Sequence, residues 1–558
     1  MQRGFFSKRL VIIFVVLFSC LTLLFARCLY FQVFQFANFS HLAKNQQSTT
    51  IILESQRGKI LDSERNILAT NLAVESVYAE PHRIKNLNQT VRSLKEILNL
   101  EEEFILDRLK QQKYFVWLKR KISKEEVKAL GELDLKGIGF LKESKRYYPM
   151  NNLASHAIGI ASIDNVGLEG LELYYNDYLK GTAGYKQIIR DARLRELAAF
   201  TKLYMPAVNG FNLVLTIDAV IQNITEEALR EGISKFNAKA AVAIVMNPYS
   251  GEILAMASLP DFNPNFYNDY PIENRRNKNI CDIYEPGSAF KIVTASAALE
   301  EDLVSLEDLF YCEEGAYRVS RHLLHDHRPH GWLSFREVIE YSSNIGTVKV
   351  AQNLKEKTLY SYVRSFGFGA LCGVDLPGEV AGFIKPPSQW SKISIAAIPI
   401  GHEVGVTALQ MVSAISVIAN GGYLVRPYIV AQLEDDQGQI IKTTSPKQIR
   451  RRVISGDTCQ YMKEILKGVV ENGTGKRARL EHFSTAGKTG TAQKIEPSGR
   501  YSHSKYMATF IGFAPVENPR VAICVIFDEP RPIYYGGSVA APVFAKICDA
   551  TLKYLKAK

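Results

Sequence analysis

Ser288 and Lys291 stand three residues apart in the stretch IYEPGSAFKIV (283–293). Pro286 and Gly287 are typical of the first turn of a helix, and residues i and i+3 lie on the same helix face. A serine hydroxyl becomes a nucleophile when a base removes its proton, and a buried lysine can be neutral enough to be that base. The stretch alone fits either this pair or an N-cap serine followed by a solvated lysine.

Two further segments carry residue types that complete such a site. Ser342-Ser343-Asn344 enters a second predicted helix, and Lys488-Thr489-Gly490-Thr491 directly precedes a predicted strand. The second segment puts a cation, a small residue and a hydroxyl on one edge, which suits a substrate carboxylate and an extended peptide. The order S-x-x-K, S-x-N, K-T-G therefore favours the catalytic interpretation of Ser288.

These motifs are those of a known family. The chain resembles a class B penicillin-binding protein, a peptidoglycan D,D-transpeptidase, and is most similar to the division-specific septal type. The resemblance runs from the N-terminal apolar segment to Lys558 and includes RGKILD (57–62), DNVGLEGLE (164–172) and ENGTGKRA (471–478). One departure follows Asp62, where the family has Arg-Asn-Gly and this chain has Ser63-Glu64-Arg65.

The resemblance implies a role for each motif residue. The catalytic residues would be the nucleophile Ser288, the base Lys291, the proton relay Ser342 with Lys488 beside it, and Asn344, which would bind the acyl side chain. The substrate-binding residues would be Thr489, Gly490 and Thr491, and the backbone N–H groups of Ser288 and Thr491 would form the oxyanion hole. The acyl-enzyme would form on a D-Ala-D-Ala stem peptide or a β-lactam, and no metal or cofactor is expected.

The N-terminus indicates a membrane anchor. The positive residues 1–9 precede the uncharged apolar run 10–26, and apolar residues continue to about position 31, which is long enough to span a bilayer. No small-x-small cleavage site follows, so we expect an uncleaved signal anchor with a cytoplasmic N-terminus. We predict a tail over 1–9, an anchor over 10–31 and an exported remainder.

The exported part divides near residue 210. Residues 32–210 mix short alternating runs with helical stretches, one of them predicted over 168–179, and read as a pedestal or dimerisation domain. In 211–558, Asp218 is a candidate N-cap, and apolar runs flank turn residues at NPYSG (247–251) and at NPR (518–520). We expect an α+β transpeptidase domain with a five-stranded antiparallel sheet flanked by helices.

Composition excludes several classes of function. The net charge of +11 is spread over 558 residues without a basic stripe, a zinc-finger spacing or a phosphate loop, so nucleic-acid binding is not expected. Four histidines in 322–330 invite a zinc site, but a polar loop explains them better. The eight cysteines do not indicate a disulfide framework, although one exported disulfide of unknown pairing stays open.

Three functions stay open. The first is septal cross-linking at the outer face of the inner membrane, with elongation of the lateral wall as its variant. The second is hydrolysis of the acyl-enzyme by water, as in a D,D-carboxypeptidase or a β-lactamase. The third is a non-enzymatic β-lactam sensor or division scaffold, which the intact motifs disfavour. The resemblance further implies a partner glycosyltransferase and division proteins.

Overall fold

A computed structural model describes residues 3–111, 113–189, 203–320, 322–445, 448–496 and 498–557. Its contacts divide into two compact units. The first comprises Met1–Gln56 and Gly181–Asn209, and the second comprises Arg57–Lys180 and Gly210–Lys558.

The helices of the described residues are, in chain order, α1 Arg3–Leu29, α2 Phe36–Gln47, α3 Leu87–Leu98, α4 Glu102–Lys110, α5 Lys124–Glu132, α6 Ser155–Ile158, α7 Gly170–Tyr174, α8 Asn176–Leu179, α9 Ala219–Phe236, α10 Ile272–Arg275, α11 Lys278–Cys281, α12 Lys291–Glu300, α13 Phe335–Glu340, α14 Asn344–Leu354, α15 Glu356–Ser365, α16 Ser394–Ala397, α17 Ala408–Ala419, α18 Gly456–Glu471 and α19 Gly536–Ala557.

The strands are, in the same order, β1 Ser48–Leu53, β2 Ile60–Leu61, β3 Ile67–Ala79, β4 Val116–Ile122, β5 Ile138–Tyr147, β6 Gly184–Ile189, β7 Leu203–Met205, β8 Asn212–Leu215, β9 Ala240–Met246, β10 Ile253–Leu259, β11 Leu309–Tyr311, β12 Ala316–Val319, β13 His322–His325, β14 Trp332–Ser334, β15 Phe383–Ile384, β16 Val404–Gly405, β17 Tyr423–Val425, β18 Val430–Glu434, β19 Ile440–Thr443, β20 Ile449–Arg452, β21 Ala486–Ile495, β22 Tyr501–Ala514 and β23 Val521–Asp528.

The first unit combines an apolar helix with a small sheet. The helical stretch Ser7–Phe34 has a mean hydropathy of 2.6 and is the single membrane-spanning candidate among the described residues. Its length of 28 residues exceeds the roughly 20 that cross a bilayer. The predicted anchor falls inside this helix. Strands β1, β6 and β7 form an antiparallel sheet in the order β1-β6-β7.

The five-stranded antiparallel sheet of the second unit has the order β10-β9-β23-β22-β21. Both predicted hairpins are confirmed, one joining β9 to β10 and the other β22 to β23. Helices α9 and α19 cover one face, and α17 packs against the other. Asp218 caps α9 as predicted, because its carboxylate accepts the N–H groups of Val220 and Ile221. The α+β fold class is therefore confirmed.

A second, mixed sheet crosses the predicted domain boundary. Its order is β19-β18-β8-β2-β3-β4, with β5 paired to β3. Strands from 60–147 and strands from 212–443 therefore belong to one sheet. The boundary at 210 therefore stays a prediction. The turn that joins β2 to β3 forms although it has no glycine: Arg65 takes φ 66°, while Asp62 Oδ1 accepts the N–H groups of Glu64 and Asn66.

The predicted helix over 168–179 is wrong in detail, because the chain forms two short helices, α7 and α8. Tyr175 departs from helical geometry between them, with φ −101° and ψ 21°. The helices are held by Glu172, which is fully buried and lies 2.6 Å from both Arg57 Nε and Arg146 Nε. Burial raises the pKa of Glu172, but the two guanidinium groups outweigh it and hold the pKa below its usual value.

Candidate active site

Ser288 lies in a 3₁₀ turn, Gly287–Phe290, that continues directly into α12. Gly287 has a left-handed φ of +54°, and a Cβ built on it would lie 2.9 Å from the carbonyl oxygen of Thr491. A side chain is excluded there by both conformation and space. The turn that carries Ser288 therefore lies close against the strand of the K-T-G motif. Ser288 itself is partly exposed.

Lys291 is fully buried and points toward the S-x-N motif. Its Nζ lies 2.7 Å from the carbonyl oxygen of Ser342, 3.3 Å from Ser342 Oγ and 2.8 Å from Asn344 Oδ1. Burial lowers the pKa of Lys291 to about 7, because an ammonium is poorly solvated there. An amine of this kind can hold or accept a proton near neutral pH.

Ser342 and Asn344 are positioned by a strained turn followed by α14. Ser342 has φ 63°, a left-handed conformation that non-glycine residues seldom adopt and that is common at functional sites. Asn344 is the first residue of α14, and its Nδ2 donates to the carbonyl oxygen of His325 at 2.9 Å. The amide is therefore oriented with its oxygen toward Lys291.

Lys488 completes the contact between the motifs. It lies on β21, is fully buried and donates from Nζ to Ser342 Oγ at 2.9 Å. Burial, followed by repulsion from Lys291, holds its pKa well below the usual value. Ser342 Oγ therefore lies between two lysine nitrogens, an arrangement through which a proton can pass by small movements.

The rest of the K-T-G-T segment lies on the edge strand β21, next to the Ser288 turn. A Cβ on Gly490 would lie 2.6 Å from the carbonyl oxygen of Pro286, so glycine is required for this approach. Thr489 Oγ1 lies 2.8 Å from Thr474 Oγ1, and Thr491 Oγ1 accepts the N–H of Gly536 at 3.0 Å. The structure thus brings all the predicted site residues into one region.

Asp326 was not predicted as a site residue. Its carboxylate accepts the Ser343 hydroxyl at 2.6 Å, the Ile345 N–H at 3.1 Å and the Asn344 N–H. It therefore caps α14 and fixes the S-x-N turn from outside. The adjacent pair Asp326-His327 in a histidine-rich loop is the one sequence signal, and it does not reveal this partner.

The sequence also did not indicate a row of aromatic side chains near the site residues. Tyr506 stacks on Tyr534 with ring centroids 3.9 Å apart, Tyr534 contacts Tyr535, and Tyr535 lies 4.9 Å from His327. At one end of the row, Tyr535 precedes Gly536, whose N–H donates to Thr491 Oγ1 on β21. At the other end, His327 follows Asp326, which contacts the S-x-N turn. The row therefore connects these two parts of the site.

The histidine-rich stretch 322–330 and the eight cysteines are the other groups whose side chains could bind a metal or form a disulfide. Within the residues that the structure describes, no three His, Cys, Asp or Glu side chains are grouped to hold a metal ion. His327 and His330 instead contact tyrosine rings. All eight cysteines are free thiols, and Cys312 is buried near the Ser343 hydroxyl at 3.3 Å.

Comparisons with known proteins identify the domains of this chain. Residues 241–549 match the penicillin-binding protein transpeptidase domain, and residues 52–215 match the penicillin-binding protein dimerisation domain. Stage V sporulation protein D of Bacillus subtilis is 37% identical over 99% of this chain and 86% of its own length.

A second relative is the peptidoglycan D,D-transpeptidase FtsI of Buchnera aphidicola, which is 31% identical over 99% of this chain and 96% of its own length. Among solved structures, penicillin-binding protein 3 of Mycobacterium tuberculosis in complex with ampicillin has a TM-score of 0.71 and 28% identity, covering 91% of this chain and 96% of that one. The chain therefore belongs to the penicillin-binding protein family that joins a dimerisation domain to a transpeptidase domain.

Proposed function

We propose that this chain is a serine-type peptidoglycan D,D-transpeptidase of the division septum. The observation that carries the proposal is the convergence of Lys291 and Lys488 on Ser342, beside the turn that presents Ser288. The relatives named as D,D-transpeptidases and the ampicillin-bound neighbour support the same activity.

In the proposed reaction Ser288 Oγ attacks the carbonyl carbon of the penultimate D-alanine of a stem peptide. Lys291, whose pKa burial lowers to about 7, takes the hydroxyl proton in its neutral form. The proton then passes through Ser342, with Lys488 beside it, to the amine of the departing terminal D-alanine. The backbone N–H groups of Ser288 and Thr491 stabilise the oxyanion.

Substrate binding is assigned to the remaining motif residues. Thr489 and Thr491, on the edge strand, bind the terminal carboxylate, and Gly490 leaves room for the peptide to approach β21. Asn344 binds the amide of the acyl side chain. The amine of a second stem peptide then displaces Ser288 and forms the cross-link. A β-lactam, as a D-Ala-D-Ala mimic, acylates the same hydroxyl.

The cellular setting is part of the proposal. Residues 10–31, within the apolar helix Ser7–Phe34, anchor the chain in the inner membrane, with residues 1–9 in the cytoplasm and residues 211–558 outside as the transpeptidase domain. Residues 32–210 form the pedestal or dimerisation domain. A glycosyltransferase and other division proteins act with the chain at the septum.

The test uses the full-length chain with glycan strands that carry pentapeptide stems. We expect D-alanine release together with new peptide cross-links, and loss of both in Ser288→Ala. Release of D-alanine without cross-links would replace the proposal with a carboxypeptidase. A fluorescent fusion in growing cells tests the septal role, since an even distribution along the lateral wall would contradict it.

A further inference from the structure

Thr474 lies next to the proposed carboxylate site and takes no part in the mechanism above. Its Oγ1 is 2.8 Å from Oγ1 of Thr489, and this is the hydrogen bond that the Thr489 hydroxyl makes within the residues that the structure describes. Thr489 is buried, with 7% of its surface exposed, whereas Thr474 is exposed. The hydroxyl of Thr474 is therefore the group that can set the direction in which Thr489 donates its proton.

The turn 473–475 has a fixed place beside the site. The N–H of Thr474 donates to the carbonyl oxygen of Glu340 at 3.2 Å, two residues before the S-x-N motif. A Cβ on Gly473 would overlap the same oxygen, and a Cβ on Gly537 would overlap the carbonyl oxygen of Thr474. The turn therefore contacts both the end of α13 and the first residues of α19, at distances that only glycine allows.

The second threonine of the proposed carboxylate site shows how such a hydroxyl is held. Thr491 Oγ1 accepts the N–H of Gly536 at 3.0 Å. A threonine hydroxyl has one proton, so a hydroxyl that accepts a hydrogen bond from the protein keeps that proton for the substrate. With Thr474 as its donor, Thr489 has the same arrangement, and both hydroxyls can donate to one carboxylate.

We propose that Thr474 is a positioning residue for substrate binding, whose hydroxyl donates to Thr489 and thereby directs the Thr489 proton toward the terminal carboxylate of the stem peptide or β-lactam. The opposite direction would leave only lone pairs of Thr489 facing an anion. A hydrogen bond to a carboxylate is stronger than one between neutral groups. The inference rests on the proposed function, because it requires a substrate carboxylate at Thr489.

The hydroxyl donors carry more of the binding because the neighbouring amine is a weak source of charge. Burial, followed by repulsion from Lys291, holds the pKa of Lys488 well below its usual value. A neutral Lys488 attracts a carboxylate less than an ammonium would. Loss of one oriented hydroxyl proton should therefore be measurable.

The test compares benzylpenicillin with its methyl ester, which has no carboxylate, on the full-length chain in nanodiscs. Stopped-flow measurements give the second-order acylation rate constant for each compound. In Thr474→Val we expect the ratio of the acid rate to the ester rate to fall about tenfold, with the ester rate unchanged. Thr474→Ser keeps the hydroxyl and should keep the wild-type ratio, as should the control Thr443→Val on the exposed strand β19.

A double-mutant cycle tests whether Thr474 acts through Thr489. In a Thr489→Val background, adding Thr474→Val should lower the ratio no further. A wild-type ratio in Thr474→Val, an equal loss with acid and ester, or a further independent loss in the double variant would each overturn the proposal. A wild-type chain that neither compound acylates would instead contradict the proposed function itself.

Discussion

Lys488 Nζ donates to Ser342 Oγ at 2.9 Å, although 146 positions separate the two residues in the chain. Lys291 Nζ lies 3.3 Å from the same oxygen. The turn at Ser342 therefore contacts both the edge strand β21, through Lys488, and the buried helix α12, through Lys291.

The pH dependence of acylation should report the titration of Lys291. The amine must be neutral to accept the Ser288 proton, and burial lowers its pKa to about 7. The rate should therefore rise with pH and reach half its plateau near pH 7, in stopped-flow measurements with a fluorescent penicillin. Lys291→Arg, which stays charged, should lose about 10²- to 10⁴-fold. A flat profile between pH 6 and 8 would contradict this role.

Substitution of Asp326 should slow acylation without removing any predicted catalytic group. Asp326→Asn keeps the shape but loses the charge that accepts the N–H groups at the start of α14, so we expect a rate about tenfold lower. Glu356→Gln, on the exposed first turn of α15, is the matched control and should behave like wild type. Equal rates for the two variants would mean that Asp326 does not orient Asn344.

Gly490→Ala should separate β21 from the Ser288 turn. Its new methyl group would lie 2.6 Å from the carbonyl oxygen of Pro286 and 3.0 Å from Ala289 Cβ, so strand or turn must shift. Because a 1 Å misplacement at a reacting centre can cost about 10²-fold, we expect a loss of that order in acylation. Gly456→Ala adds its methyl group where no atom lies within 4 Å, and the rate should not change.

The fully buried carboxylate of Glu172 should stabilise the second unit. Glu172→Gln removes the negative charge between Arg57 and Arg146, and loss of one member of a buried ion pair costs about 3–5 kcal/mol. The loss should appear as a lower unfolding temperature of the full chain. Asp177→Asn, at an exposed pair with Lys180, should melt like wild type. A wild-type melt for Glu172→Gln would show that the two arginines find other partners.

The sequence predicts those features that rest on local spacing. Helical periodicity puts Ser288 and Lys291 on one face, and turn residues between apolar runs identify both hairpins of the five-stranded sheet. The order of the three motifs along the chain, together with the family resemblance, predicts that they form one site. Spacing alone would not have joined Lys488 to Ser342, since that contact depends on the sheet topology.

The missed features depend on distant contacts. Asp326 lies in a polar loop, and its role is set by α14, which packs beside that loop. Strand β4 lies between the helices α4 and α5, and it pairs along an edge of β3 that the local sequence does not indicate. The turn at Arg65 takes a conformation that usually requires glycine, and Arg65 also pairs with Glu434 at 2.6 Å, a residue far along the chain.

Covalent labelling of Ser288 tests the central claim most directly. The full-length chain is incubated with a penicillin, and the adduct is located by mass spectrometry of the digested protein. We expect one penicilloyl group, on the peptide that contains Ser288, and none in Ser288→Ala. An adduct on another residue, or a labelled Ser288→Ala chain, would contradict the assignment of the nucleophile.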